Sequence, residues 1–322
     1  MERLIGLLAA MAAAAALAAG PDWPTRPLTM VVPFAAGGGT DVLGRIIGRG
    51  LSETLGQNVV IENVGGAGGM VGSARVAKAP PDGYQFVLGS RADAINQTLY
   101  RNPLYNLAAD LAPVVLIADQ PMVLVGRKDL PVGNLPEFIA YVRQNQGAMQ
   151  YGSAGVGSTG HVDCALLNGA IGVTVTHVPY RGGGPAIQDL IAGRIDYFCT
   201  LSATIVPQIE SGLVKALAIF TRERAPMLRN LATAREQGFA KFEASTWFGF
   251  FLPRATPAPI VQKLHDATVA AMETPALQAR LIETGSLVVA PERRSPDYLR
   301  RFVDSEIARN AAPLKAAGIA VE

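Results

Sequence analysis

Ser153, Ser158 and His161 fall within nine residues, and the first chemistry to weigh at that spacing is attack by a histidine-activated serine. Ser153 sits in Tyr-Gly-Ser-Ala-Gly and Ser158 in Val-Gly-Ser-Thr-Gly, so neither matches the Gly-x-Ser-x-Gly nucleophile elbow. Gly155-Val-Gly-Ser-Thr-Gly160 does match the dinucleotide pattern GxGxxG after a strand and before a helix. That pattern also wants a carboxylate near the end of the next strand, which here reads Val178-Pro-Tyr-Arg181. What these residues can do without such partners is hold an anion. Ser158 or Thr159 can cap the helix that follows, whose first N–H groups and positive dipole end point forward. His161 falls in the first helical turn, placed to hydrogen-bond a ligand, with a space-filling role as the alternative.

Two more turns share this design. Phe34-Ala-Ala-Gly-Gly-Gly-Thr-Asp41 follows an apolar strand and precedes a helical run, and Arg181-Gly-Gly-Gly-Pro-Ala186 does the same. A P-loop would need Gly-Lys-Ser/Thr at the turn's end, and Gly39 precedes Thr40, so a nucleoside triphosphate is not expected. A carboxylate held by backbone and hydroxyl donors fits better. The same residues also suit turns that are merely tight. Asp41 beside an anion site would repel it unless it points away, so its first expected role is a favourable charge in its own helix, with a ligand amino or hydroxyl group as the alternative. Arg181 is the permanent cation inside a glycine turn; it suits a bidentate carboxylate contact, with a plain surface arginine as the alternative, and Arg181→Ala is expected to weaken binding. Asp189 and Asp196 flank the helix of the 180s and can order loops instead of touching ligand.

The elements that must position these turns follow from periodicity. Leu28–Val32, Val59–Asn63 and Phe86–Ser90 read as buried strands alternating with helices, the sign of a parallel sheet covered on both faces. Residues 113–127 form a longer β-rich run of the kind that crosses between domains. A second set follows: helix from Leu135, strand 149–153, helix 161–169, strand 173–178, helix opening with Pro185 at N1, and strands 195–200 and 214–221. Residues 247–252 cross back, and helices 260–273, 276–283 and 295–314 close the chain. If the two sets face each other, the strand ends meet in one cleft.

Composition narrows the class. The chain has 322 residues, 49% hydrophobic, and a net charge of +2 with no basic cluster, so nucleic acid is not an expected partner. Residues 1–20 read as a secretory leader: Arg3, an apolar run, then small residues near Ala18–Gly20, with a retained anchor as the alternative. Cys164 in a helix and Cys199 in a strand can pair only if their Cα atoms come within about 7 Å, and two small buried hydrophobes are the expected reading. His161, His177 and His265 have no paired spacing, so no metal is expected. No cofactor and no catalytic residue is expected either.

Several blocks together resemble a family. Residues 25–41, Leu55-Gly-Gln-Asn-Val-Val-Ile-Glu-Asn63, Pro81-Asp-Gly-Tyr84, Tyr151-Gly-Ser-Ala-Gly155, His177-Val-Pro-Tyr-Arg-Gly182 and Ser245-Thr-Trp-Phe-Gly249 are similar to the signature blocks of Bug-type substrate-binding proteins of tripartite tricarboxylate transporters. The resemblance runs from about Trp23 to the C-terminus in the same block order. It implies an α/β, two-domain type II periplasmic binding protein fold, each domain a mainly parallel sheet flanked by helices. Domain 1 would be residues 21–121 with 243–322, and domain 2 residues 122–242. The implied ligand set is Phe34, Ala35, Ala36, Gly37, Gly38, Thr40 and Asp41 from the first turn, with Ser90. Ser153, Ala154, Ser158, Thr159 and His161 come from the second turn, and Arg181, Gly182, Gly183, Pro185, Ala186 and Asp189 from the far wall. The implied partners are a small organic carboxylate and membrane permease subunits, with the receptor a monomer in the periplasm. Three places depart from the family pattern: Val64-Gly-Gly-Ala67, Thr200, and Val162-Asp163-Cys164, all at the cleft wall or its support. Two other functions stay open at this point, an α/β enzyme such as a decarboxylase or hydrolase acting on a carboxylate, and an exported sensor subunit.

Overall fold

The computed structural model describes residues 23–240, 242–316 and 319, so the leader reading of residues 1–20 lies outside the described residues. Strand β1 (Leu28–Val32) leads into helix α1 (Gly39–Leu55), whose Leu43, Ile47 and Leu51 are buried one turn apart, the spacing that puts them on one face. Gly56 ends α1 in the left-handed region, returning its N–H to the carbonyl of Ser52. Strand β2 (Val59–Asn63), α2 (Met70–Ala77) and β3 (Gln85–Ser90) complete a parallel set in which β1 lies between β2 and β3.

Helix α3 (Arg91–Leu99) and the single turn α4 (Leu107–Asp110) then precede β4 (Leu111–Arg127). This strand is buried along nearly its whole length and serves two sheets. From Leu111 to Pro121 it pairs antiparallel with β9 (Ser245–Pro253); from Met122 to Arg127 it pairs with β7 (Tyr197–Leu201) and β8 (Val214–Ile219). The second half begins with α5 (Leu135–Asn145) and β5 (Gln150–Ser153), then α6 (Thr159–Ile171), β6 (Thr176–Pro179) and α7 (Gly183–Ile191). Strand β5 lies parallel between β6 and β7. Helix α8 (Ser202–Glu210) separates β7 from β8, and α9 (Ala258–Met272), α10 (Pro275–Glu283), β10 (Leu287–Val288) and α11 (Pro296–Ala316) follow β9.

Each half thus has three parallel strands at its outer edge and one long crossing strand that runs against them, β9 in the first half and β4 in the second, so each sheet is mainly parallel, as expected. The exceptions follow from the crossing: β4 runs along the parallel set of the first half and against that of the second, and β9 returns against the first. The apolar cores separate along the same line. One packs β1, β3, the first part of β4 and β9 against α1, α9 and α11; the others pack the remainder of β4 with β5, β7 and β8. Helix α7 begins at Gly183, two residues before the expected start, so Pro185 is its third residue and its missing N–H still costs no helical bond.

Candidate ligand-binding site

Five helices begin at one place. Gly38 caps α1, Ser90 caps α3, Ser158 caps α6, Gly182 caps α7, and Leu201 precedes α8. Residues from all five starts line a cavity of ≈ 30 Å³ between the two halves: Gly39 and Thr40, Ser90, Thr159 and Gly160, Gly183, and Thr204 among them. Positive dipole ends and unpaired first-turn amides therefore surround one point. Among the described residues, no Asp, Glu, Lys, Arg or His lines it.

The hydroxyls sharpen the picture. Thr40, Thr159 and Thr200 line the cavity and are buried, and their side chains have no hydrogen-bond partner among the described residues. The hydroxyl of Thr246 reaches the thioether of Met122 at 3.6 Å, a weak acceptor. Four threonines lining one cavity, three with no protein partner for the hydroxyl and one bonded only to a thioether, are a template for an oxygen-rich guest. Phe34, Met122, Phe198 and Leu201 supply the apolar wall.

Of the expected ligand set, Phe34, Gly38, Thr40, Ser90, Ala154, Ser158, Thr159 and Gly183 line the cavity. The others do different work. Ala35, Ala36 and Gly37 meet the 180s turn directly: the N–H of Ala35 donates to the carbonyl of Arg181 at 3.1 Å. A Cβ on Gly184 would fall on the carbonyl oxygen of Ala36, so only glycine lets the turns come this close. Gly182 packs against Ala35, Ala186 is buried in the core below α7, and Pro185 is exposed. Arg181 itself is exposed and contributes its carbonyl, while Asp189 is engaged with the Tyr180 hydroxyl and Arg194, both at 2.6 Å. The N–H of Gly39 donates to Thr204 Oγ1 at 2.6 Å, so one helix-start amide of α1 is held by the opposite half.

Asp41 points away from the cavity, which removes the repulsion its sequence position raised. Its carboxylate accepts from the N–H of Gly37 and the Arg45 guanidinium at 3.0 Å, and from Asn63 at 2.9 Å. Burial pushes this carboxyl up, but the bonds from Arg45, Gly37 and Asn63 outweigh it and hold it below the usual range. Asn63 also donates to the carbonyl of Phe34 at 3.0 Å. The first turn is braced from behind.

The second turn is braced differently. Ser153 Oγ lies 2.6 Å from His177 Nε2 and accepts from the N–H of Gly155 at 3.0 Å. Ser153 is fully buried and off the cavity, so this serine–histidine contact is a support under the turn. The His161 ring turns the same way, stacked on His177 at 4.2 Å with Nδ1 accepting from the N–H of Gly157 at 3.3 Å. Desolvation lowers His161 to about 4 and, with the His161 charge adding to it, His177 to about 3, so both rings are neutral at neutral pH. Cys164 and Cys199 are bonded, with Cα atoms 5.5 Å apart. This corrects the expectation of two separate buried thiols: β7 passes directly behind α6, a neighbourhood that spacing alone does not reveal.

The sequence reading placed Thr200 at the cleft wall or its support but missed Met122, Phe198, Leu201, Thr204 and Thr246. Thr246 lies in the quoted Ser245-Thr-Trp block, and Thr204 sits in α8, which was not expected because Pro207 interrupts its apolar pattern. Helix α3 was also unexpected, although Ser90 and Asp93 form a capping box visible as Ser-x-x-Asp. Asp93 is buried and accepts from Ser73 Oγ at 2.5 Å and from the N–H of Ser90 at 2.7 Å, which fixes the Ser90 wall.

Across the rim, Arg91 of α3 pairs with Asp163 of α6 at 2.9 Å, with both side chains buried, and Tyr100 donates to the carbonyl of Val156 at 3.3 Å. The two halves are drawn together on both sides of the cavity. Two lobes, two crossing strands and an anion-attracting cavity between them define a bilobal ligand-binding protein. The model of the tripartite tricarboxylate transporter family receptor matches residues 43–319. The chain belongs to that family. It is similar to the periplasmic binding protein BugD, 36% identical with a TM-score of 0.90, covering 93% of this chain and 100% of that one. It is similar to MatC from Rhodopseudomonas palustris, solved with bound malate, at 39% identity and a TM-score of 0.87, covering 91% and 100%. A third structure, an R. palustris protein with adipate, gives 38% identity and a TM-score of 0.88, covering 92% and 99%.

Proposed function

We propose that this chain is an extracytoplasmic receptor that closes its two lobes on a small organic carboxylate and delivers it to membrane permease subunits. The observation that carries the reading is the convergence of five helix starts and four threonines, three without a protein partner for the hydroxyl and one bonded only to a thioether, on a cavity lined by no charged side chain among the described residues. A carboxylate is the guest that such a site stabilises, through amide and hydroxyl donors in place of a counter-ion. Malate in MatC and adipate in the other R. palustris protein support an acid of that size class. A cavity of ≈ 30 Å³ has room for one or two waters, so a dicarboxylate enters an open form and the lobes close over it. We assign the hinge to β4 and β9 where they pass between the cores, near Pro121 and Ser245, which gives lobes of residues 21–121 with 243–322 and 122–242.

No chemistry on the ligand is part of this reading, since no titratable side chain lines the cavity. The chain acts as a monomer outside the cytoplasmic membrane, the leader read at residues 1–20 directing its export. No helix among the described residues is long and apolar enough to cross a membrane. A thermal-shift screen of C4 to C6 dicarboxylates, hydroxy acids and amino acids tests the assignment. A true ligand at 100 times its Kd adds about 2.7 kcal/mol of stability. No shift with any carboxylate, confirmed by calorimetry, refutes it.

A further inference from the structure

Three consecutive residues fasten the first turns of α6 in three directions. Val162 enters an apolar cluster with Ile95, Leu99 and Leu314 of the opposite lobe, and Asp163 pairs with Arg91 of that lobe. Both attachments belong to the closed arrangement. Cys164 faces the other way and is bonded to Cys199 of β7, in its own lobe. The two bonded residues sit beside the site: Cys199 lines the cavity between Phe198 and Thr200, and α6 presents Thr159 and Gly160 to it one turn before Cys164. Close packing is required at this seam. A Cβ on Gly160 would fall on the carbonyl oxygen of Cys199, so α6 rests against the β7 backbone itself.

We propose that the Cys164–Cys199 disulfide is a positioning element of the binding site, holding the donor end of α6 in register with β7, so that the oxidised chain binds carboxylate and the reduced chain binds it much more weakly. The proposal rests on the carboxylate reading above. When the lobes part, the ties at Val162 and Asp163 are given up. The stacked His161–His177 rings, the Tyr197 hydroxyl donating to Asn168 at 2.8 Å, the core packing of Leu167 and Ile171, and the disulfide then remain to keep Thr159 and Gly160 facing Thr200, and of these only the disulfide is covalent and lies one turn from the donors. A helix start displaced by a fraction of an ångström loses hydrogen-bond alignment with a bound carboxylate oxygen. Losing one charge-assisted bond of that kind weakens binding by about ten-fold or more. Disulfides form in oxidising compartments and not in the cytosol, so the receptor acquires its affinity on export.

The test compares redox states of the full chain. Thiol counting in denaturant should find no free thiol in the oxidised protein. Reduction in urea with dithiothreitol converts the disulfide to two thiols as the reagent closes to its cyclic disulfide; refolding under reductant then gives the reduced receptor. Calorimetry with malate and adipate, below the melting temperature of both forms, should show Kd raised about ten-fold or more on reduction and restored on reoxidation. The double variant C164A/C199A should hold the reduced affinity and ignore dithiothreitol. Equal Kd in the two states, with only the melting temperature changed, overturns the proposal, as do two free thiols in the protein as isolated. If the oxidised protein binds no carboxylate, the functional reading fails and this inference falls with it.

Discussion

The two glycine turns that face each other across the cavity have the same outline and opposite means of support. Residues 34–41 are held by a charged network, with Asp41 taking bonds from Gly37, Arg45 and Asn63. Residues 153–161 are held by neutral stacking and a covalent tie: Ser153 on His177, His177 on His161, and Cys164 on Cys199. Of these supporting side chains only Cys199 lines the cavity. The site is therefore built from backbone and threonine, and the titratable groups act one layer behind it. Acid, reductant and mutation should strike the two turns separately.

The largest effect should come from the contact that the first turn makes with the turn of residues 181–186. Gly184→Ala places a Cβ on the carbonyl oxygen of Ala36 and blocks the approach that closes the lobes. Each lobe keeps its own core, so the variant should fold, while affinity falls on the order of 100-fold. Wild-type affinity by calorimetry would mean that the turns need not meet for binding.

Acid should separate the turns. His161 and His177 titrate near 6.5 when unfolded and near 4 and 3 in the folded chain, so as pH falls the unfolded chain takes up protons first. Stability present above 6.5 should be lost between about 6.5 and 4, with a slope of about 1.4 kcal/mol per pH unit for each ring. Asp41, held below its usual range, contributes stability that is lost only at lower pH, under 3.8. Burial pushes the carboxyls of Asp93, Asp119 and Asp163 up, which opposes this loss; urea midpoints from pH 7 to 4 for the wild type and for H161F/H177F check this, and identical pH profiles for the two would show that the stacked pair is not buried in solution.

Smaller effects belong to the cavity wall. Thr246→Val removes a hydroxyl whose protein partner is a sulfur at 3.6 Å, so folding should lose little. Binding should weaken about three- to ten-fold, the worth of a neutral hydrogen bond. A fall in melting temperature with unchanged Kd would assign the hydroxyl to the fold instead.

Much of this arrangement was legible in order. The strands β1, β2 and β5 and the helices after them follow from β-branched runs, apolar spacing and glycine stops. The helices α3 and α8 did not, because Arg91, Asp93 and Asn96 are polar residues buried by tertiary partners, and Pro207 hides a helical pattern. Within the site, glycine position identified the turns but not which atoms of them face inward. Asp41 and His161 are chemically the most suggestive residues of their turns, and both look away, because their partners Arg45, Asn63 and His177 lie behind.

Arg181 is the sharpest case of that distinction and carries the smallest expected effect. A guanidinium inside a glycine turn reads as a carboxylate clamp from sequence. In the fold its side chain is exposed and off the cavity, while its carbonyl accepts from Ala35. The backbone contact survives truncation of the side chain. Arg181→Ala should therefore leave Kd within about two-fold, the residual coming from long-range charge that salt screens. A ten-fold loss that persists in 0.5 M salt would mean that the guanidinium swings inward over the bound acid. The first turn's opposite wall would then have a charged clamp after all, and the contrast between charged support behind the site and neutral donors within it would fail.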